Sequence, residues 1–176
     1  MSFLSRLLSP RETPRDALRP LWHRVVEVSR EPEWYADCGA LDSVEGRFDM
    51  ITVVLALVLL RMEASEELAP DTGLLTELFV ADMDRQLRDT GVGDLMVGKK
   101  IIKLMGALGG RTGALREIMT ESDAELAKVL TRNVTLAEGA PRFAMAVRAR
   151  ALAIELAAQS DAAIRAGSLR AGSLRA

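Results

Sequence analysis

The stretch MITVVLALVLLRM, residues 50–62, decides the fold of this 176-residue chain. It is apolar throughout except for Thr52 and Arg61. It is too short to span a bilayer, which requires about 20 apolar residues. Its valines and isoleucine also favour a strand, but its length favours a helix. The stretch therefore predicts a helix from about 45 to 65 that is buried on all sides at the centre of the fold.

The segments on both sides of this stretch predict further helices. Apolar residues recur there at helical spacing, and no segment has the pattern of a β-hairpin or a strand–helix–strand unit. We therefore predict an all-α fold, with one compact domain of six to eight helices. The domain is expected to span 13–166, between an apolar N-terminal segment, 1–12, and a flexible tail, 167–176, made mostly of a repeated five-residue unit.

The composition argues against several classes of function. A formal charge of −2 is not that of a strongly basic DNA-binding protein. A single cysteine, Cys38, excludes an intramolecular disulfide and a multi-cysteine metal site. His23 is the only histidine, and nothing in the local sequence supports a Cys38–His23 pair as nucleophile and base. We therefore predict that the protein is not an enzyme and has no catalytic residue.

Acidic residues between 77 and 89 are the remaining candidates for a metal site. Asp82 and Asp89 share a helical face, whereas Asp84 points elsewhere, and no second acidic helix motif completes a di-metal site. These carboxylates are expected to form a solvated face with Arg85 and Arg88 as partners in the same helix. We predict no metal and no cofactor.

A glycine elbow interrupts the segment DMDRQLRDTGVGDLMVGKKIIKLMG, residues 82–106. Gly91 stands where a helix C-terminal glycine belongs, because glycine adopts a positive φ without a Cβ clash. Asp94 is expected to be the N-cap of the next helix, which is expected to end at Gly109-Gly110. In that helix Lys99 and Lys103 are predicted to face away from an apolar side formed by Ile101, Ile102, Met105 and Leu108.

Two segments, GRFDMITVVLALVLLRM (46–62) and LFVADMDRQLRDTGVGDLMVGKKIIKLMGALGGR (78–111), resemble the ubiquinol–cytochrome c chaperone family. This family comprises assembly factors for respiratory complex III in alphaproteobacteria and mitochondria. The resemblance spans roughly residues 20–135. The Asp-Met-Asp segment, Gly91-Val92-Gly93-Asp94 and the Val97–Lys100 run occur together with the family's spacing. The chain departs from the family at Val54, where histidine is frequent, and at Leu108-Gly109, where an aromatic pair is frequent.

The resemblance implies a non-enzymatic α-helical protein that binds newly made cytochrome b and protects it until haem and partner subunits arrive. Such a protein is expected at the cytoplasmic face of the inner membrane, because cytochrome b is a membrane protein. A small partner subunit, an anionic membrane surface and the ribosome are further candidate partners, and DNA is not. The candidate binding residues are Arg85, Arg88, Gly91, Gly93, Lys99, Lys100, Lys103 and Arg111.

Two alternatives of other classes remain open at the level of sequence. The first is a membrane-surface or ribosome-contacting helical adaptor whose basic patch binds phosphate, and such binding falls steeply with ionic strength. The second is a carrier of haem or quinone, which requires a deep pocket with converging polar groups. For haem, His23 is the only histidine that the chain offers as an axial ligand.

Overall fold

The computed structural model describes residues 13–169. Its α-helices in chain order are α1 (Arg19–Ser29), α2 (Pro32–Ala36), α3 (Val44–Glu63), α4 (Thr72–Asp89), α5 (Asp94–Ile118), α6 (Asp123–Asn133), α7 (Arg142–Ala158) and α8 (Asp161–Arg165). Between residues 13 and 169, β-structure is limited to one isolated bridge, from Ala40 to Leu136. The all-α prediction is confirmed. The N-terminal segment 1–12 and residues 170–176 of the predicted tail lie outside the described residues.

Helix α3 contains the stretch that decides the fold. The side chain of Ser43 accepts a hydrogen bond from the Gly46 backbone N–H and caps its first turn. From Asp49 to Leu59 every residue is buried, and the helix packs against α1, α4, α5 and α7. No helix between residues 13 and 169 combines the length and the apolar character that crossing a membrane requires. The apolar run is therefore used to fill the core from several sides.

Helix α5 is longer than the sequence predicts, because it continues through Gly109-Gly110 to Ile118. A glycine inside a helix costs about 1 kcal/mol relative to alanine. Leu108 and Leu115 are both buried, one on each side of the glycine pair. Since burying a leucine contributes about 1.5–3 kcal/mol, tertiary packing outweighs the low helix propensity of the two glycines. The predicted helix end at this pair is wrong.

A buried arginine connects α7 to the segment around α2. Arg148 is almost fully buried, and its guanidinium lies 4.9 Å from the centre of the Trp34 ring. It forms ion pairs with Glu31, at 2.5 Å, and with Glu33, at 3.1 Å. Because an unpaired buried charge is costly, this cluster fixes α7 in one position on the N-terminal helices.

The last described residues pack against the first helix. Leu169 is 3 % exposed and belongs to the hydrophobic core. Arg24 Nε in α1 donates a hydrogen bond of 2.9 Å to the carbonyl oxygen of Leu169. Gly167 has φ +72°, and a Cβ there would lie 2.6 Å from the carbonyl oxygen of Pro20. The packed part of the chain thus reaches three residues beyond the predicted boundary at 166.

Candidate functional site: the α4–α5 pair and its groove

The turn between α4 and α5 is built on Gly91. This residue has φ +80°, and its N–H donates to the carbonyl of Arg88 at 2.9 Å. The next N–H, that of Val92, donates to the carbonyl of Leu87 at 3.1 Å. These two bonds form a Schellman motif, which satisfies carbonyls that the end of a helix otherwise leaves unpaired. Gly91 is therefore the helix terminator that the sequence predicts.

The start of α5 differs from the prediction by one residue. Gly93 is the N-cap, and its carbonyl accepts hydrogen bonds from the N–H groups of Met96 and Val97, at 2.8 and 3.2 Å. Asp94 is the first residue of the helix, where its negative charge suits the positive end of the helix dipole. The expectation that Asp94 is the N-cap is wrong.

Arg85 and Arg88 are occupied by local ion pairs. Arg85 pairs with Asp82 one turn earlier. Arg88 pairs with Asp84 in its own helix, at 2.7 Å, and also with Asp94 across the turn. Hydrogen bonds and charge from these carboxylates raise the pKa of Arg88 above its usual value. Arg88 therefore fastens the two helices at the elbow, and neither arginine presents an unshared charge to a partner.

Arg111 lies inside the protein rather than on a binding surface. Its guanidinium pairs with Asp49 of α3 and donates to the hydroxyl of Thr52. The second oxygen of Asp49 accepts bonds from the N–H and the hydroxyl of Thr135, at 2.9 and 2.7 Å. Both charged side chains are nearly buried. Arg111 thus holds α5, α3 and the segment after α6 together, and the structure gives it a structural position.

Lys99, Lys100 and Lys103 are exposed, as the sequence predicts. None of them forms an ion pair with a residue in the described part of the chain, whereas the remaining lysine, Lys128, pairs with Glu125. The apolar side predicted for this helix needs one correction. Ile102 is 74 % exposed and lies among the lysines, because the inward face at that level is already occupied by Ile101 and Met105.

A groove of about 880 Å³ lies where α4 and α5 meet the end of α3. Its apolar lining is formed by Leu59, Val80, Ala81, Ile101 and Met105. Its charged lining is formed by Arg15, Glu63, Glu77 and Asp84. Gly73 and Gly98 also line it, and a Cβ added at either glycine would meet no atom within 4 Å.

The sequence does not identify this groove. Its apolar residues have the spacing of core residues, and only the packing angle between α4 and α5 leaves them partly open. The sequence also misses Leu95 and Met96, which are 90 % and 50 % exposed. A signal was present: apolar residues alternate with Lys99, Lys100 and Lys103 in the first turns of α5, so that side of the helix is not uniformly polar.

The structure does not bring the remaining candidates, Cys38 and His23, together within residues 13–169. Cys38 is fully buried, and burial raises the pKa of its thiol to about 11. His23 is exposed and lines a second, smaller cavity of about 370 Å³ with Trp22 and Arg85. No hydrogen bond joins Cys38 to His23 within residues 13–169. In the same residues, no group of three or more His, Cys, Asp and Glu side chains is arranged to hold a metal ion.

The fold defines a class of protein: an all-α domain with an open groove between two of its helices. Residues 36–171 match the family described as Ubiquinol-cytochrome C chaperone, and the protein belongs to that family. The structure is also similar to the crystal structure of the Cbp3 homolog from Brucella abortus, with a TM-score of 0.72 and 26% sequence identity over 89% of each chain. No curated protein sequence matches this chain.

Proposed function

We propose that the protein is an assembly chaperone of respiratory complex III that binds newly made cytochrome b. Membership of the ubiquinol-cytochrome C chaperone family supports this function, as does the similarity to the Cbp3 homolog. Family membership implies a non-enzymatic role. The site of action is then the cytoplasmic face of the inner membrane, where cytochrome b is inserted.

The observation that carries the proposal is the open groove between α4 and α5. Its volume of about 880 Å³ is within the usual range for binding pockets, about 300–1,000 Å³, and five of its thirteen lining residues have apolar side chains. Its lining carries three carboxylates and Arg15; Glu63 and Asp84 already pair with arginines, which leaves Glu77 as the carboxylate available to a basic segment. Membrane proteins combine apolar transmembrane segments with cytoplasmic loops that carry a surplus of Lys and Arg. The groove therefore suits a short apolar segment flanked by basic residues. We call the protein that supplies this segment the client.

A pair of glycine variants tests the groove. Gly98 lines it, and Gly109 lies on the same helix outside it. Both are exposed, and a Cβ at either meets no atom within 4 Å, so arginine fits at both positions without disturbing the core. We expect the tagged full-length protein to retain cytochrome b in a gentle pull-down from a membrane-containing lysate. Gly98→Arg should lose most of it because the new side chain fills the groove and adds positive charge.

Gly109→Arg is the matched control, and it should retain cytochrome b at the level of the unchanged protein. Both variants should melt at similar temperatures, which separates a blocked groove from a damaged fold. If cytochrome b is recovered equally with Gly98→Arg and Gly109→Arg, the groove is not the binding site. If cytochrome b is recovered with neither variant nor the unchanged protein, the proposed client is wrong.

A further inference from the structure

Exposed apolar side chains are concentrated at the start of α5. Of the seven large hydrophobic side chains that are exposed between residues 13 and 169, three lie within the first nine residues of this helix. They are Leu95, Met96 and Ile102. Leu95 and Ile102 are about two turns apart and therefore lie on the same side of the helix. We call Leu95, Met96, Ile102 and the three lysines between and beside them the outer face of α5.

The positive charges on the outer face all come from lysine. The chain contains four lysines, and three of them are Lys99, Lys100 and Lys103. Elsewhere the positive charges are mainly arginines, many of which form ion pairs with carboxylates. Arginine is suited to fixed, bidentate pairing with a carboxylate, whereas lysine is a mobile, strongly hydrated point charge. The three lysines therefore suit a diffuse layer of negative charge better than one acidic side chain.

The acidic residue in the first turn of α5 does not neutralise these lysines. Asp94 precedes Leu95, but its carboxylate is paired with Arg88 of α4. Leu95, Met96 and Ile102 are also exposed to solvent, and the groove lies on another side of the helix, at Ile101 and Met105. A projecting apolar ridge with mobile positive charges is the pattern of a helix that lies in the interface of a membrane. A protein partner would require a matching pocket of its own.

We propose that the outer face of α5 binds the surface of a bilayer that contains anionic lipid. Leu95, Met96 and Ile102 enter the boundary between headgroups and acyl chains, and the lysines contact the headgroup phosphates. Gly106 and Gly109 continue the same side of the helix without side chains, so insertion is confined to its first turns. The inference goes beyond the proposed function, because a chaperone can bind its client without touching lipid. It places the groove next to the membrane, since α5 carries the outer face and also contributes residues to the groove.

Flotation with lipid vesicles tests the proposal without any client. The full-length protein is mixed with vesicles of phosphatidylcholine alone, or of phosphatidylcholine with phosphatidylglycerol, at low and high ionic strength. We expect binding to the anionic vesicles only, and weaker binding at high salt, because the Debye length falls from about 30 Å at 0.01 M to about 8 Å at 0.15 M. Absence of binding to anionic vesicles at low salt would overturn the proposal.

Two variants and two controls locate the contact. Replacing all three lysines by glutamate, and separately Leu95→Ser with Ile102→Ser, should each weaken vesicle binding at least about tenfold. The control for charge is Lys128→Glu with Arg132→Glu on α6, and the control for apolar exposure is Phe143→Ser with Ile154→Ser on α7. Both controls should bind like the unchanged protein. If a control loses as much binding as the matching variant, the contact is not on α5.

A fluorescent label measures whether the outer face enters the lipid. Cys38 is fully buried and its thiol has a raised pKa, so a cysteine introduced by Leu95→Cys is labelled selectively. The emission maximum of an environment-sensitive label there should move to shorter wavelength when anionic vesicles are added. The same label at Ile154→Cys should not shift. A shift at both positions or at neither contradicts the assigned face, and an acidic protein partner would then be the better explanation for the lysines.

Discussion

Gly91 is the single residue on which the α4–α5 turn depends. Its φ of +80° is a conformation that residues with a Cβ rarely adopt, yet a Cβ there would meet no atom within 4 Å. A substitution at Gly91 therefore imposes backbone strain without a collision. This separates the energetic role of the conformation from that of packing, which is seldom possible at a buried glycine.

We expect Gly91→Val to lower the free energy of unfolding by about 1–2 kcal/mol, because a β-branched side chain resists a positive φ. Gly106→Ala is the control. It lies in the middle of α5 in an exposed, open position, so alanine should stabilise the protein by about 0.5–1 kcal/mol. Chemical denaturation followed by circular dichroism measures both. Equal stability of Gly91→Val and the unchanged protein would show that the turn tolerates another conformation.

Arg111 shows what sequence reasoning could not find at this scale. It was named as a candidate binding residue with the family resemblance, but its partner, Asp49, is 62 residues away in the chain. Local patterns correctly predict the helix end at Gly91 and the exposure of Lys99 and Lys103, because helix ends and helix faces are determined within a few residues. A pair such as Asp49–Arg111 is determined by how α3 crosses α5, and nothing in the neighbouring residues encodes that crossing.

Truncation of Arg111 separates the two roles. Arg111→Ala leaves the Asp49 carboxylate nearly buried without its charged partner, which should cost about 3–5 kcal/mol. Arg116→Ala, on the same helix, removes only an exposed pair with Glu63 and should cost less than about 1 kcal/mol. Chemical denaturation curves give the change in the free energy of unfolding for both variants. If Arg111→Ala unfolds at the same denaturant concentration as Arg116→Ala, the internal pair contributes little, and a surface role for Arg111 returns.

At the scale of the element, α3 was predictable and the length of α5 was not. Helix α3 was expected from about 45 to 65 and spans Val44–Glu63, because a long apolar run leaves few alternatives. Helix α5 continues through Gly109-Gly110, because leucines on both sides of the pair are held in the core. A helix that depends on tertiary contacts in this way gives a weak local signal, and its end cannot be inferred from propensity.

Two aspartate substitutions within α3 measure how much the fold depends on it. Leu57 is 3 % exposed, and Leu57→Asp should abolish folding because an unpaired buried carboxylate costs several kcal/mol, close to a stability margin of about 5–15 kcal/mol. Val44 begins the same helix and is 87 % exposed, so Val44→Asp should be tolerated. The yield of soluble protein and the thermal melt report on both. A soluble Leu57→Asp protein with a cooperative melt would mean that α3 is not the centre of the core.

At the scale of the whole molecule, the C-terminal helices are bound to the end of α3 and to the residue before α4. Arg61 of α3 bonds to Asp161 at 2.6 Å and to the carbonyl of Leu156 at 2.9 Å. Arg165 of α8 pairs with Asp71 at 2.8 Å. These contacts join segments about a hundred residues apart. Composition predicted a mobile tail from 167, but repetition in a sequence does not exclude that its first residues pack.

Two truncations test this closure. Removing residues 167–176 deletes the buried Leu169 side chain and should lower stability by about 1.5–3 kcal/mol. Removing only residues 170–176 keeps Leu169, and we expect no change. Thermal unfolding of the two shortened proteins beside the full chain decides the matter. Equal melting temperatures for all three would place the boundary of the folded domain at 166, as the sequence predicts.

The contact between Leu169 and α1 also determines when the packing of α1 is completed during synthesis of the chain. A ribosome makes α1 early, but the side chain and carbonyl that complete its packing are added about 145 residues later, at Leu169. Until then the apolar stripe of α1 lacks part of its cover, and the native fold is not closed. Each newly synthesised copy thus spends most of its translation as an incomplete molecule with exposed apolar surface.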